Sequence, residues 1–211
     1  MKHGLLFWNV DTQVDFMEPN GKLYAPGAET IKPTLKKLTE FAAQNNIQVV
    51  NTADFHYPDS AELSAEPDFI HTFPEHCMAE TEGADYVAET KPEDPVVFDW
   101  NKEYFNIDEV KTRRNVVIRK DAFDVFAGNP YTDKIVELIA PEKVVVYGVT
   151  TNVCVNDAVI GLAKRVEKVY VVEDAIKELP NIPLPFEAWG KLGVTVMKLE
   201  ELKKWIKKEH R

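Results

Sequence analysis

An open, doubly wound three-layer α/β/α fold around a mostly parallel, six-stranded sheet is what this sequence predicts, and three observations predict it. Apolar runs rich in β-branched residues recur along the chain, and they are continuous rather than alternating, as in strands buried on both faces. Helical periodicity fills most of the intervals between them, giving the β-α-β-α order of parallel crossovers. The 211 residues, 45% hydrophobic and 28% charged, suit one well-packed domain over residues 1–211, with no repeats, low-complexity tract or linker.

The first strand covers residues 5–10 and is closed by Asp11. Ile31, Leu35, Leu38 and Ala42 then recur at helical spacing, with Pro33 tolerable in a first turn. Residues 47–51 form the second strand. The segment 55–96 breaks the rhythm, being rich in Pro, Glu, His and aromatics, and loops of that length are usually functional when ordered. After the strand at 115–119, Asn129-Pro130 reads as an N-cap and first-turn proline opening a helix through Ile135, Leu138 and Ile139. The strand at 143–147 leads through a small polar turn into a helix carrying Val155, Ala158, Val159 and Leu162. Strands at 168–172 and 194–197 complete the sheet, with a short, proline-rich helix before Val194. Sites in such sheets gather at the carboxyl ends of the strands.

A net charge of -10 and a pI near 5.0 argue against nucleic acid or an anionic membrane as partner, because phosphate contacts need clustered Lys and Arg. Such clustering occurs only at 202–208, which reads as a solvated helix face. No apolar stretch approaches the roughly 18 residues of a membrane span. Cys77 and Cys154 stand far apart, and the start of the chain leads directly into a strand without signal-peptide features, so a reducing, cytoplasmic setting is expected.

Cys154 lies where small polar residues give way to a helical pattern, so its thiol falls at a helix N-terminus. Amide N–H groups and the helix dipole there favour a thiolate, and a nearby cation would bring a thiol pKa of about 8.5 toward neutrality. The same amides could hold an oxyanion. A small buried hydrophobe is the alternative, and this stretch alone does not decide. Asp11 is a candidate general base, or else a turn aspartate, with Asp15 one helical turn on as its supporting or capping residue. Lys120, just before Asp121-Ala122-Phe123, could favour a neighbouring thiolate or polarise an oxyanion. Arg119 is the rival cation, and because successive strand residues face opposite ways only one of the two can serve. Asp54 and His56, with His76 beyond them, describe a divalent-metal site with positions left for water; Zn, Fe and Mn all suit the ligand types. Glu62 or His71 could add a fourth ligand. His3, His210 and His71 otherwise read as surface or hydrogen-bonded residues.

Taken in order, these motifs resemble those of the isochorismatase-like cysteine hydrolases, and within them the nicotinamidases (pyrazinamidases), over nearly the whole length. Val10-Asp11-Thr12-Gln13-Val14-Asp15-Phe16 is similar to the VDxQxDF opening, and Gly148-Val149-Thr150-Thr151-Asn152-Val153-Cys154-Val155 to the GxxTxxCV nucleophile turn. Asp54-Phe55-His56 and Phe73-Pro74-Glu75-His76-Cys77 resemble the DxH and PxHC metal motifs, and Thr81-Glu82-Gly83-Ala84 the GTxGA segment. The resemblance implies a triad of Asp11, Lys120 and Cys154. It implies one divalent ion, Zn before Fe or Mn, on Asp54, His56 and His76, with Glu62 roughly where some relatives have another histidine. It also implies a cis Val149–Thr150 peptide, oxyanion donors at the Thr150 and Cys154 amides, and Phe16 and Phe73 around an aromatic ring. The activity implied is deamidation of nicotinamide and pyrazinamide through a thioester, within NAD salvage, by a homo-oligomer acting on a small-molecule amide. A related amidase for another small planar or carbamoyl amide is the alternative; a metal-binding redox sensor using Cys77 and Cys154 is a distant one. Three departures from the pattern stand out. Glu80 replaces the usual glycine before Thr81, the helix before Val194 is short, and no counterpart of a further ring-contacting residue is evident after Lys120.

Overall fold

The computed structural model describes residues 4–69 and 71–209; His3 and His210 lie outside them. The elements are β1 (Leu5–Val10), α1 (Val14–Met17), α2 (Lys32–Gln44), β2 (Gln48–Asp54), β3 (Val96–Phe98), β4 (Asn115–Lys120), α3 (Val125–Gly128), α4 (Thr132–Ile139), β5 (Lys143–Val149), α5 (Cys154–Ala163), β6 (Lys168–Lys177), α6 (Phe186–Lys191), β7 (Thr195–Met197) and α7 (Leu199–Glu209).

All seven strands join one sheet in the order β3-β4-β2-β1-β5-β6-β7, and every pairing is parallel. The expected α/β class therefore holds, with seven strands in place of six. The additional strand is β3, three residues at the sheet edge, too short to produce a periodic signal against the long loop before it. Strands β2, β4, β5 and β6 also extend past their expected ends, to Asp54, Lys120, Val149 and Lys177.

The β1 side chains divide between two cores, as a central strand of a three-layer fold must. Leu5 and Phe7 join Leu35, Leu38 and Phe41 of α2 and Leu202 and Ile206 of α7. Leu6, Trp8 and Val10 join Ile135 and Val136 of α4 and Val155, Val159 and Leu162 of α5. Fully burying such a side chain contributes roughly 1.5–3 kcal/mol, so each helix is held by its apolar stripe. Lys204, Lys207 and Lys208 of α7 are exposed, as on a solvated face, and Lys203 is half-buried. No helix among the described residues is long and apolar enough to cross a membrane.

Strand register sets up the site. Val10 is level with Thr52 and Gly148, and Asp54 with Lys120, so four neighbouring strands deliver Lys120, Asp54, Asp11 and the turn before Cys154 to one edge. Gly148 is required there: its φ is +120°, and a Cβ would stand 2.0 Å from the Val10 carbonyl oxygen. Asp11, at φ 47°, occupies a left-handed conformation that aspartate tolerates better than most residues.

Candidate active site

Lys120 ends β4 with its side chain fully buried. Its Nζ lies 3.0 Å from Asp11 Oδ2, in contact with Asp54 Oδ1, and 3.8 Å from Cys154 Sγ. Arg119, one residue earlier, points the other way, pairing with Asp99 at 3.1 Å and lying 3.7 Å over the Phe55 ring. Strand alternation thus turns Lys120, and not Arg119, toward Asp11 and Cys154. The thiol of Cys154 opens α5, and its Sγ and the Asp11 and Asp54 carboxylates lie within 4.8 Å of one another. The second oxygen of Asp11 accepts a 2.6 Å hydrogen bond from the buried Thr52 hydroxyl. The Val149–Thr150 peptide is cis. Among the described residues, no acceptor takes the Thr150 or Cys154 backbone N–H.

Beside this group stands a second. Atoms of Asp54, His56, Glu62 and His76 converge within 4.8 Å of one another, all four side chains buried. His76 Nε2 lies 3.7 Å from Asp54 Oδ2 and 3.9 Å from Glu62 Oε1, and His56 Nε2 is 4.0 Å from Asp54 Oδ2. Asp54 Oδ2, His56 Nε2, Glu62 Oε1 and His76 Nε2 are all buried without a hydrogen-bond partner. Four orphaned donors aimed at one point would be costly unless something binds them, and a divalent cation fits the set. The opposite ring nitrogens are each engaged, His76 Nδ1 with the Pro74 carbonyl at 2.7 Å and His56 Nδ1 with Asp121 Oδ1 at 2.9 Å. Metal-ligating histidines are typically held this way. Of the two candidates for a fourth ligand, Glu62 is in the cluster, whereas the His71 side chain is 82% exposed and paired with Asp68.

Supporting residues lock these groups. Asp15 accepts from the Cys77 N–H at 2.7 Å and the Lys22 N–H at 3.0 Å, the supporting role its position suggested. Gln13 clamps the Asp54 backbone, donating to its carbonyl and accepting from its N–H, each at 2.8 Å. Cys77 is fully buried, with its thiol directed at the Gly83 carbonyl.

Both groups open onto a narrow cleft lined by Phe16, Leu23, Phe73, Phe123, Val153 and Leu179, among others. Phe16 and Phe73 flank His76, at ring-centroid separations of 5.5 and 6.3 Å. Phe123, not singled out in the sequence, also lines this cleft, edge-on to Phe73 at 5.2 Å. Its signal was an aromatic three residues beyond Lys120. Thr52 and Asp121 gave no signal of their own, since their roles depend on partners distant in sequence, and Gln13 stood only as the glutamine of the VDxQxDF-like run.

Burial, reinforced by Asp54 and opposed by Lys120 and the Thr52 hydrogen bond, raises the Asp11 pKa to about 6. Burial alone would neutralise Lys120, but Asp11 and Asp54 hold it protonated, well above the usual range. The Cys154 thiol departs from expectation: desolvation pushes its pKa well up, with Lys120 opposing and the neighbouring carboxylates adding to the rise. The resting group is a thiol beside a carboxylate, because burial outweighs the helix terminus.

The family model for the isochorismatase domain matches residues 5–182. Over 77 residues the chain is 35% identical to the nicotinamidase/pyrazinamidase of Mycobacterium tuberculosis; the match covers 36% of this chain and 40% of that protein, less than half of its length. Among solved structures, the pyrazinamidase of Pyrococcus horikoshii in complex with zinc superposes with a TM-score of 0.71 at 23% identity, covering 93% of this chain and 99% of that one. The N-carbamoylsarcosine amidase of Thermoplasma acidophilum gives 0.69 at 23% identity, covering 92% and 95%. These structural likenesses speak to the fold.

Proposed function

The chain belongs to the isochorismatase family, and from that premise we propose that it is a metal-dependent cysteine amidohydrolase converting nicotinamide, and pyrazinamide, to the corresponding acid and ammonia. The observation that carries this reading is the convergence of Lys120, Asp11 and Cys154 beside four unpartnered metal-type donors on one apolar cleft.

The residues divide the work by position. Phe16, Phe73 and Phe123 hold a flat ring and exclude water. A divalent ion held by Asp54, His56, Glu62 and His76 would supply a Lewis-acidic anchor for a ring nitrogen or a water. Asp11 takes the Cys154 proton as Sγ attacks the amide carbon, and Lys120 stabilises the sulfur and the carboxylate between which that proton moves. The Thr150 and Cys154 amides receive the developing oxyanion, a contribution typically about 3–4 kcal/mol per donor. Asp11 then passes its proton to the departing ammonia. With Asp11 again the base, water hydrolyses the thioester and frees the acid and the thiol. An Asp11 pKa of about 6 suits both directions of transfer near neutrality.

The nearest other reading is an amidase for a carbamoyl compound, as the Thermoplasma neighbour is named. The cleft lining favours the ring amide: it contains no lysine or arginine among the described residues to meet a substrate carboxylate, and three phenylalanines to stack on a ring. Ammonia release from nicotinamide, pyrazinamide and a carbamoyl amide, assayed side by side, separates these readings. Cys154→Ala is expected to abolish release, and turnover at the parent rate in that variant would remove the scheme. A redox sensor would show no turnover at all. The cytoplasmic setting is part of this reading, supported by two free cysteines.

A further inference from the structure

Lys120 and Asp121 are consecutive, yet they serve different groups. Lys120 faces Asp11 and Cys154, while Asp121, one step past the end of β4, turns its carboxylate to His56, with Oδ1 2.9 Å from Nδ1. His56 is fully buried, and its other nitrogen, Nε2, is the unpartnered atom aimed at Asp54. The Asp121 backbone is independently fixed. Its N–H donates to the Gly128 carbonyl at 3.1 Å, and Gly128 sits so close that a Cβ there would lie 2.8 Å from the Ala122 nitrogen. The carboxylate is thus held on the far side of the imidazole from the donor cluster. His76 differs, having only the neutral Pro74 carbonyl behind it.

We infer that Asp121 is a positioning residue of the metal centre: its carboxylate holds the proton on His56 Nδ1 and so presents the Nε2 lone pair, in one fixed ring orientation, to a bound cation. This rests on the metal reading above. A neutral imidazole carries one ring proton, and an acceptor at Nδ1 selects the tautomer whose Nε2 is free to ligate. The negative charge behind the ring also makes Nε2 a stronger donor than a carbonyl would, and partners of this kind typically change metal affinity by about 10- to 100-fold.

The test is zinc affinity of the intact protein, measured by chelator competition, for the parent chain, Asp121→Ala, Asp121→Ser and Asp121→Asn. Alanine and serine, which cannot reach Nδ1, should weaken binding about 10- to 100-fold. Asparagine keeps an oxygen acceptor for the Nδ1 proton but loses the negative charge, and should recover only part of the loss. Ring-nitrogen NMR of the zinc-loaded parent should show His56 protonated at Nδ1 and coordinated through Nε2, a readout independent of whether any variant folds. Parent-like zinc affinity in folded Asp121→Ala, or coordination through Nδ1, overturns the inference and leaves the metal reading standing. A parent chain that binds no zinc overturns both.

Discussion

Asp11 is where the chemistry is set at the scale of single residues. Its pKa is raised to about 6, so the carboxylate needed to accept the thiol proton is lost as pH falls through that value. The expected kcat/KM profile levels off about one unit above pH 6 and declines about tenfold per unit well below it, as for a free-enzyme base. Thr52→Val removes the hydroxyl that stabilises the carboxylate. A charge-assisted hydrogen bond contributes about 1.5–3 kcal/mol, so the acid limb should move upward by about one to two units; an unmoved limb would reject the assignment. Lys120→Met leaves Asp11 and Asp54 buried together without their cation, and should lower stability by about 3–5 kcal/mol in denaturant unfolding, besides removing activity.

Elements show where the chain accepts strain. Glu80, standing where the resembled motif has glycine, has a φ of 62°, a left-handed conformation that glycine adopts more readily. A left-handed non-glycine residue costs roughly 1–2 kcal/mol. Glu80→Gly relieves that cost but makes the unfolded chain more flexible, so a gain of about 1 kcal/mol is expected, seen as a melting rise of about 2–4 °C with unchanged activity. Gly148→Ala should behave oppositely, since β5 would be forced away from β1 at the turn carrying Cys154. Misfolding, or loss of both stability and activity, is the expected result.

The whole molecule gathers buried acids that a cation would unite. Zinc at a hundredfold excess over its dissociation constant stabilises the folded state by about 2.7 kcal/mol, which corresponds to a melting rise of about 5–10 °C. Glu62→Ala should remove most of that rise, and an unshifted melting curve in the parent would argue against a metal centre. A homo-oligomer is proposed at this scale as well, supported by exposed Leu184, Phe186 and Leu192 within and beside α6. Light scattering should give a mass well above the 24.0 kDa of one chain.

The sequence by itself determined the α/β class, the strand ends at which the candidate site gathers, and Asp11, Asp54, His56, His76 and Cys154 as candidate residues there. Those signals are local: buried parallel strands read as continuous apolar runs, and motif residues follow them directly. Tertiary structure alone decided between Lys120 and Arg119, between Glu62 and His71, and between an acidic and a strongly raised thiol. It also revealed β3, Phe123 and the bonds from Thr52 to Asp11 and from Asp121 to His56. Each of these depends on register between strands or on the depth of burial, and both arise only when segments distant along the chain meet in space.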